Sequence, residues 1–505
     1  MLQTAPIFQN EMVIQREKPF LIWGFGTPGK TLHISVQNKT AETVIPASGH
    51  WKLTLPALKA SKDEQIILHT EQESITLEHV AVGEVWVAGG QSNMEFHMRY
   101  EKHKKEELLS CPRPNLRFYD VPEICYDGQD QDFDYSRMGI WRDATAENLE
   151  YFSAVGYYFQ KELADTLDVP IGIIGCNWGG TPSCSWMNPS SVSRAGKPWM
   201  QEYEDFASHT DMDEYWREQR DNPMNGRGDP FADEFGEFVS PRTPDDEEIA
   251  AFFAARGIEP FGMPQQMQPQ LIPGSLYEHM LKTVAPCSIR GFLWYQGESD
   301  DVPGRQALYK DMMTALIADW RALWNDNTLP FLLVQLPGFQ TWFGIEPRDI
   351  TTIRACQKAV ADTVPDAYLC SISDAGEQMD IHPKDKKTVG HRLALLARGH
   401  VYGEQILCDA PVAADVVRKN NLLTITFDNA EGGLKLDGDT CSALHVTQIN
   451  EEIPFTAGVK GDQLVLQLPE TTEGPLKVSF AQNDWYLVNL YNQADIPAIP
   501  FQVYC

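Results

Sequence analysis

Gly83-Glu84-Val85-Trp86-Val87-Ala88-Gly89-Gly90-Gln91-Ser92-Asn93-Met94 changes character midway. Val85 to Ala88 is apolar, rich in β-formers and too short for a helix, so it predicts a buried strand. Gly89 and Gly90 break that strand, and the polar triplet Gln91-Ser92-Asn93 follows. A serine just past a core strand, on a glycine turn that brings backbone close, is sited as a nucleophile at the rim of a parallel sheet. The same residues also fit an ordinary strand-to-helix loop with a helix-capping serine. The stretch alone does not separate the two.

Working outward, the chain has 505 residues, long enough for several domains, and a formal net charge of -30. Such an acidic balance argues against nucleic acid and anionic membrane as partners, and disfavours a highly anionic substrate. No apolar run approaches the roughly 18 residues of a membrane span. The N-terminal residues lack the basic start and apolar core of a signal peptide, so a cytoplasmic location is expected. The 10 cysteines are scattered without a CxxC pair, which indicates neither a zinc site nor a disulfide framework. Nothing in the sequence sets an oligomeric state.

Residues 1–80 carry short, partly alternating runs such as Phe20-Leu-Ile-Trp-Gly and His50-Trp-Lys-Leu-Thr-Leu between turn signals. They predict a sandwich-like β domain. From 81 to 404 strand-like runs (85–88, 169–176, 289–295, 330–336, 367–373) alternate with helical ones (152–167, 305–324, 352–363, 387–402). That rhythm predicts an α/β domain with a doubly wound parallel sheet of about five strands. An acidic stretch at about 187–270 interrupts it and reads as a partly helical insertion, either a lid or a solvated connection. Residues 405–505 return to short β runs, a C-terminal β module.

Strand ends of an open parallel sheet converge on one crevice, so the residues just past each strand belong together. Those are Ser92; Asn177-Trp178-Gly179-Gly180-Thr181; Gln296-Gly297-Glu298-Ser299-Asp300; and Asp374 followed by Asp380-Ile381-His382-Pro383. A hydroxyl, a Gly-Gly turn, a side-chain amide and a carboxylate–imidazole pair are the parts of an acyl-transfer site. Glu298 with Asp300 offers a rival, the two carboxylates of a glycoside hydrolase. The Gly-x-Ser-x-Gly elbow does not fit, because Met94 stands where its second glycine belongs.

Gly90-Gln-Ser-Asn-Met94, Asn177-Trp-Gly-Gly-Thr-Pro182, Trp294-Tyr-Gln-Gly-Glu298 and Asp380-Ile-His-Pro383 resemble the sialate O-acetylesterase family of carbohydrate esterases, in the SGNH hydrolase superfamily. Met12-Val-Ile-Gln-Arg16 and Asn489-Leu-Tyr-Asn492 extend the resemblance to both ends of the chain. It implies a flavodoxin-like catalytic domain that hydrolyses an O-acetyl ester on a sugar, without metal or cofactor. By the same resemblance Ser92 is the nucleophile and His382 the general base. The oxyanion would be held by the backbone N–H of Ser92, that of Gly179 or Gly180, and the Gln296 amide. Asp380 lies two residues before the histidine rather than the family's usual three, where Met379 stands, so Asp374 and Glu298 are alternatives for orienting the ring. Asn93, Trp178, Glu298 and Arg354 are expected to bind substrate, with Lys384 a second cation for a sialate carboxylate. An acetylated xylo-oligosaccharide is the neutral alternative to an acetylated sialate. A non-catalytic carbohydrate-binding protein is the opposing expectation.

Overall fold

The apolar run at 85–88 is the far half of a longer strand, Ser74–Gly90 (β1). The computed structural model describes residues 1–129, 138–221, 238, 246–255, 267–449 and 451–505. In its near half β1 is antiparallel to Ser61–His69, and Ala81–Gly83 runs parallel to Val13–Gln15. The domain boundary expected at 80 therefore falls inside a single strand. The buried Glu84 carboxylate fastens this crossing. It accepts from Gln15 at 2.9 Å, from Arg16 at 2.6 Å, and from Arg290 at 2.6 and 3.0 Å. Burial alone would raise its pKa, but the two guanidiniums more than offset that and hold it below the usual carboxylate value.

Two compact units divide the chain: Met1–Ser299 with Leu308–Phe331, and Asp300–Ala307 with Leu332–Cys505. In the first, β1 joins Arg113–Asp120 (β2), Trp141–Ala144 (β3), Ile171–Asn177 (β4) and Gly291–Tyr295 (β5) in the order β3-β2-β4-β1-β5. β4 is parallel to both β1 and β2, β5 is parallel to β1, and β3 is antiparallel to β2. The sheet is thus mixed rather than purely parallel. β2 and β3 were not expected from the sequence for a physical reason. Arg113-Pro114-Asn115 opens β2 with polar and breaking residues, and the buried Arg117 places its charge on the carbonyl oxygens of Glu11 and His79 instead of water.

With β4 on one side of β1 and β5 on the other, the carboxyl end of β1 is a topological switch point. Gly89 sits there because the Trp320 ring packs onto the strand; a Cβ would lie 2.6 Å from that ring. Gly90 holds φ at +140°, and a Cβ would meet the Tyr295 carbonyl oxygen at 2.1 Å, so no other residue fits. Trp320 comes from the helix Tyr309–Trp324, and its ring meets Trp294 of β5 edge-on at 5.4 Å.

The second unit takes up the strand Phe331–Val334 (β6) from Leu332 onward; Ala367–Cys370 (β7) is its neighbour, with helices Ile350–Thr363 and Lys386–Leu396 following the two strands in turn. C-terminal to these lies the expected β module. One sheet is Val412–Lys419, Leu422–Asp428, Gln463–Gln467 and Thr456–Lys460; the other contains Leu444–Gln448, Lys477–Phe480 and Phe501–Tyr504. Leu423, Ile425, Phe427, Leu464, Val446, Val478 and Phe480 alternate inward and share one core, as sandwich sheets require. The described part of the 187–270 stretch is helical, at Pro189–Ala195, Lys197–His209, Met212–Asp221 and Asp246–Ala254. Residues 222–237, 239–245 and 256–266 lie outside the described ones. Among the described residues no helix is long and apolar enough to cross a membrane.

Candidate active site

Ser92 is the first residue of a single helical turn, Ser92–Glu95 (α1), directly beyond β1. Gln91 sets the turn: its N–H donates to the Tyr295 carbonyl at 3.1 Å, and its own carbonyl accepts from Met94 at 2.8 Å. Its side-chain oxygen faces the N–H groups of Gly297 and Ser299 at 3.5 and 3.3 Å, drawing together the loops after β1 and β5. Ser92 is half-buried, neither sealed in the core nor fully in water. It does not cap the helix through its side chain, because Gln91 occupies the cap position. The capping reading of Ser92 is therefore not what the fold uses.

The loop after β4 lies against this turn. A Cβ on Gly179 would stand 3.4 Å from the Ser92 Cβ, so glycine permits the approach. Gly180 needs its glycine for a different reason, a φ of +72°. Trp178 is half-buried and ties the loop to β1 through its N–H on the Gly90 carbonyl at 3.2 Å. Gln296 is wholly buried; its amide nitrogen donates to the Thr181 carbonyl at 3.2 Å and its oxygen accepts from the Tyr309 hydroxyl at 3.1 Å. These bonds fix which way the amide points. Asn93 is buried and donates to Glu298 at 2.6 Å, so the first and third motifs are joined side chain to side chain.

One expected donor is already engaged. The Gly179 N–H donates to the Glu95 carboxylate at 2.5 Å, which leaves Gly180 as the better glycine for an oxyanion. Sequence reasoning passed over Glu95, although Ser92-Asn-Met-Glu95 has the Ser-x-x-Glu form that signals an acidic side chain turning back near a helix start. Glu123 stands close in charge terms: burial, then the charges of Glu95 and Asp120, push its carboxyl well above the usual range. Burial likewise raises Asp120 to about 6, against the pull of Arg142. Glu95 thus holds the Gly179–Gly180 loop at the foot of Ser92. Glu95→Ala is expected to lower kcat/KM by about ten- to a hundred-fold, mostly through kcat, because a mispositioned loop weakens the transition state more than binding. Glu95→Gln, which keeps an acceptor oxygen, is expected to recover most of it. Steady-state kinetics on p-nitrophenyl acetate read the difference.

In the second unit, His382 packs edge-on against Trp342 with ring centroids 4.8 Å apart. About a fifth of its side chain stays exposed. Burial, then the ammonium groups of Lys386 and Lys384, lower its pKa to about 3, so the imidazole is neutral at physiological pH. Asp380 does not grip the ring as expected. Its Oδ1 lies 3.8 Å from Nδ1, too long for a hydrogen bond, and accepts instead the backbone N–H of His382 at 2.8 Å. Its Oδ2 meets Lys384 Nζ at 3.0 Å. Asp380 therefore pins the loop rather than the imidazole. Asp374 is engaged elsewhere, in a bidentate pair with Arg392 at 2.6 and 2.8 Å.

Arg354 is the clearest correction. It is buried, donates to the carbonyls of Ala481 and Asn483 at 3.2 and 2.8 Å, and lies over the Tyr486 ring. It braces the C-terminal segment and does not present a cation to substrate.

Residues 193–397 match the family described as carbohydrate esterase, sialic acid-specific acetylesterase, and most of the acidic stretch falls within that match. The sialate O-acetylesterase of Mus musculus is 27% identical over 84% of this chain and 78% of its own length. That of Homo sapiens is 26% identical over 84% of this chain and 76% of its own. A carbohydrate acetylesterase from Xanthomonas citri superposes with a TM-score of 0.76 at 26% identity, covering 99% of each chain. By sequence over most of its length and by fold over nearly all of it, the chain is similar to the sialate O-acetylesterases and to that carbohydrate acetylesterase.

Proposed function

We propose that the chain is a serine esterase that removes O-acetyl groups from a carbohydrate through an acetyl-serine intermediate. The observation that carries the reading is the seat of Ser92: a half-buried hydroxyl at the switch point, with the Gly179–Gly180 loop against it and the Gln296 amide fixed beside that loop. In this mechanism the Ser92 Oγ attacks the acetyl carbonyl carbon while His382 takes its proton. The oxyanion accepts from the N–H groups of Ser92 and Gly180 and from the Gln296 side-chain amide. His382 then returns the proton to the departing sugar oxygen. Water, deprotonated by the same imidazole, releases acetate and restores the serine. Asn93, Glu298 and Trp178 are the proposed sugar contacts. The SGNH assignment, a flavodoxin-like arrangement of the five predicted strands, the division at 404, and a cytoplasmic location belong to the same proposal.

Both cations considered for a sialate carboxylate are engaged, Arg354 on carbonyls and Lys384 on Asp380, which favours a neutral acetylated sugar. Acetate release is expected to be faster from acetylated xylo-oligosaccharides than from O-acetylated sialosides. Faster release from the sialosides would reverse that preference, and no acetate from either would leave a carbohydrate-binding protein.

A further inference from the structure

A separate group of reactive side chains lies where the last helix of the α/β part hands over to the C-terminal β module. Lys386–Leu396 continues through a wider turn, Ala397–Val401, which carries His400. The chain then loops back so that Cys408-Asp409 passes this turn before the strand Val412–Lys419 begins. His400 Nε2 lies 2.9 Å from each Asp409 carboxylate oxygen, and Cys408 Sγ lies 3.7 Å from Oδ2. One donor atom from each of the three falls within 4.8 Å of the others.

We infer that His400, Cys408 and Asp409 form a binding site for a borderline transition-metal dication of the Zn²⁺ type, with solvent in the fourth position. Thiolate, imidazole and carboxylate are the donors such an ion prefers. Tetrahedral bonds of about 2.0 to 2.3 Å place neighbouring donor atoms about 3.2 to 3.7 Å apart. The observed 2.9 and 3.7 Å straddle that range, so small side-chain rotations suffice. The donors are also held from outside. The Tyr368 ring stacks on the His400 imidazole at 3.9 Å, the Asn492 amide donates to the Asp409 carbonyl at 2.9 Å, and Gly399 packs directly on the Cys408 sulfur, where a Cβ would lie 2.4 Å away. Supports of this kind orient ligands before an ion arrives.

Binding expels the thiol proton, while the neutral imidazole moves its hydrogen to Nδ1. Thiolate and carboxylate then balance the two charges of the ion. The ion would clip the helix end to the linker. The sequence gives no hint of this, because an isolated histidine and an adjacent Cys-Asp pair match no spaced ligand motif.

The test is a Co²⁺ titration of the full chain followed by absorption spectroscopy. About one equivalent is expected to give a near-ultraviolet thiolate-to-cobalt charge-transfer band with strong visible bands of tetrahedral cobalt, displaced by Zn²⁺. Cys408→Ser should lose the charge-transfer band, and His400→Ala should weaken Co²⁺ binding by at least about tenfold. Turnover of p-nitrophenyl acetate by Cys408→Ser is expected at the wild-type level, which separates this site from the esterase site and shows the fold intact. Absence of the band in natively folded wild type, or its persistence in Cys408→Ser, would overturn the proposal and leave His400 and Asp409 as a plain ion pair.

Discussion

Ser92→Ala is expected to lower kcat/KM for p-nitrophenyl acetate by about 10⁴- to 10⁶-fold, because without Oγ no acetyl-enzyme forms. What survives should be the modest acceleration left by the oxyanion donors alone. The fold should be untouched, since the Ser92 side chain does not cap its helix. Circular dichroism and melting temperature check that point. Rapid mixing of the wild type should show a burst of p-nitrophenol that the variant lacks. Equal release by both proteins would remove Ser92 from the nucleophile's role. The glycosidase alternative has the opposite signature: Glu298→Gln would abolish cleavage of an aryl glycoside that Ser92→Ala leaves unaffected.

His382→Asn is the second large effect, about 10³- to 10⁵-fold, and its pH dependence is the more telling measurement. The imidazole must be neutral to act as a base. Its pKa is lowered from 6.5 to about 3 by burial and by Lys386 and Lys384, so the neutral form persists well below the ordinary histidine range. The acidic limb of kcat/KM should therefore not appear near 6.5; activity falls only as pH drops toward the folded value. Stability follows the same sign. Below 6.5 the unfolded chain takes up a proton that the folded ring refuses, so His382 costs stability progressively between 6.5 and about 3. An acidic limb at 6.5 would show that a carboxylate governs the ring after all, and Lys384→Gln should then leave the profile unmoved.

Much of this protein was legible in residue order. The apolar run and paired glycines at 85–90 announced a core strand and a tight turn, because burial and positive φ leave few residue types able to serve. The helix expected over 305–324, found at Tyr309–Trp324, and the alternation of the C-terminal strands followed from periodicity alone. β2 escaped because its buried Arg117 is satisfied by carbonyls distant in sequence, which local polarity cannot register.

The sequence by itself determined the kinds of elements and the inventory of chemical groups, since propensity and pattern are local quantities. Only the tertiary structure decided which groups are engaged: Arg354 on backbone carbonyls, Asp374 on Arg392, Asp380 on its own loop, and Glu95 on Gly179. Whether a charge faces substrate or braces the fold depends on partners far apart along the chain, and packing alone selects them.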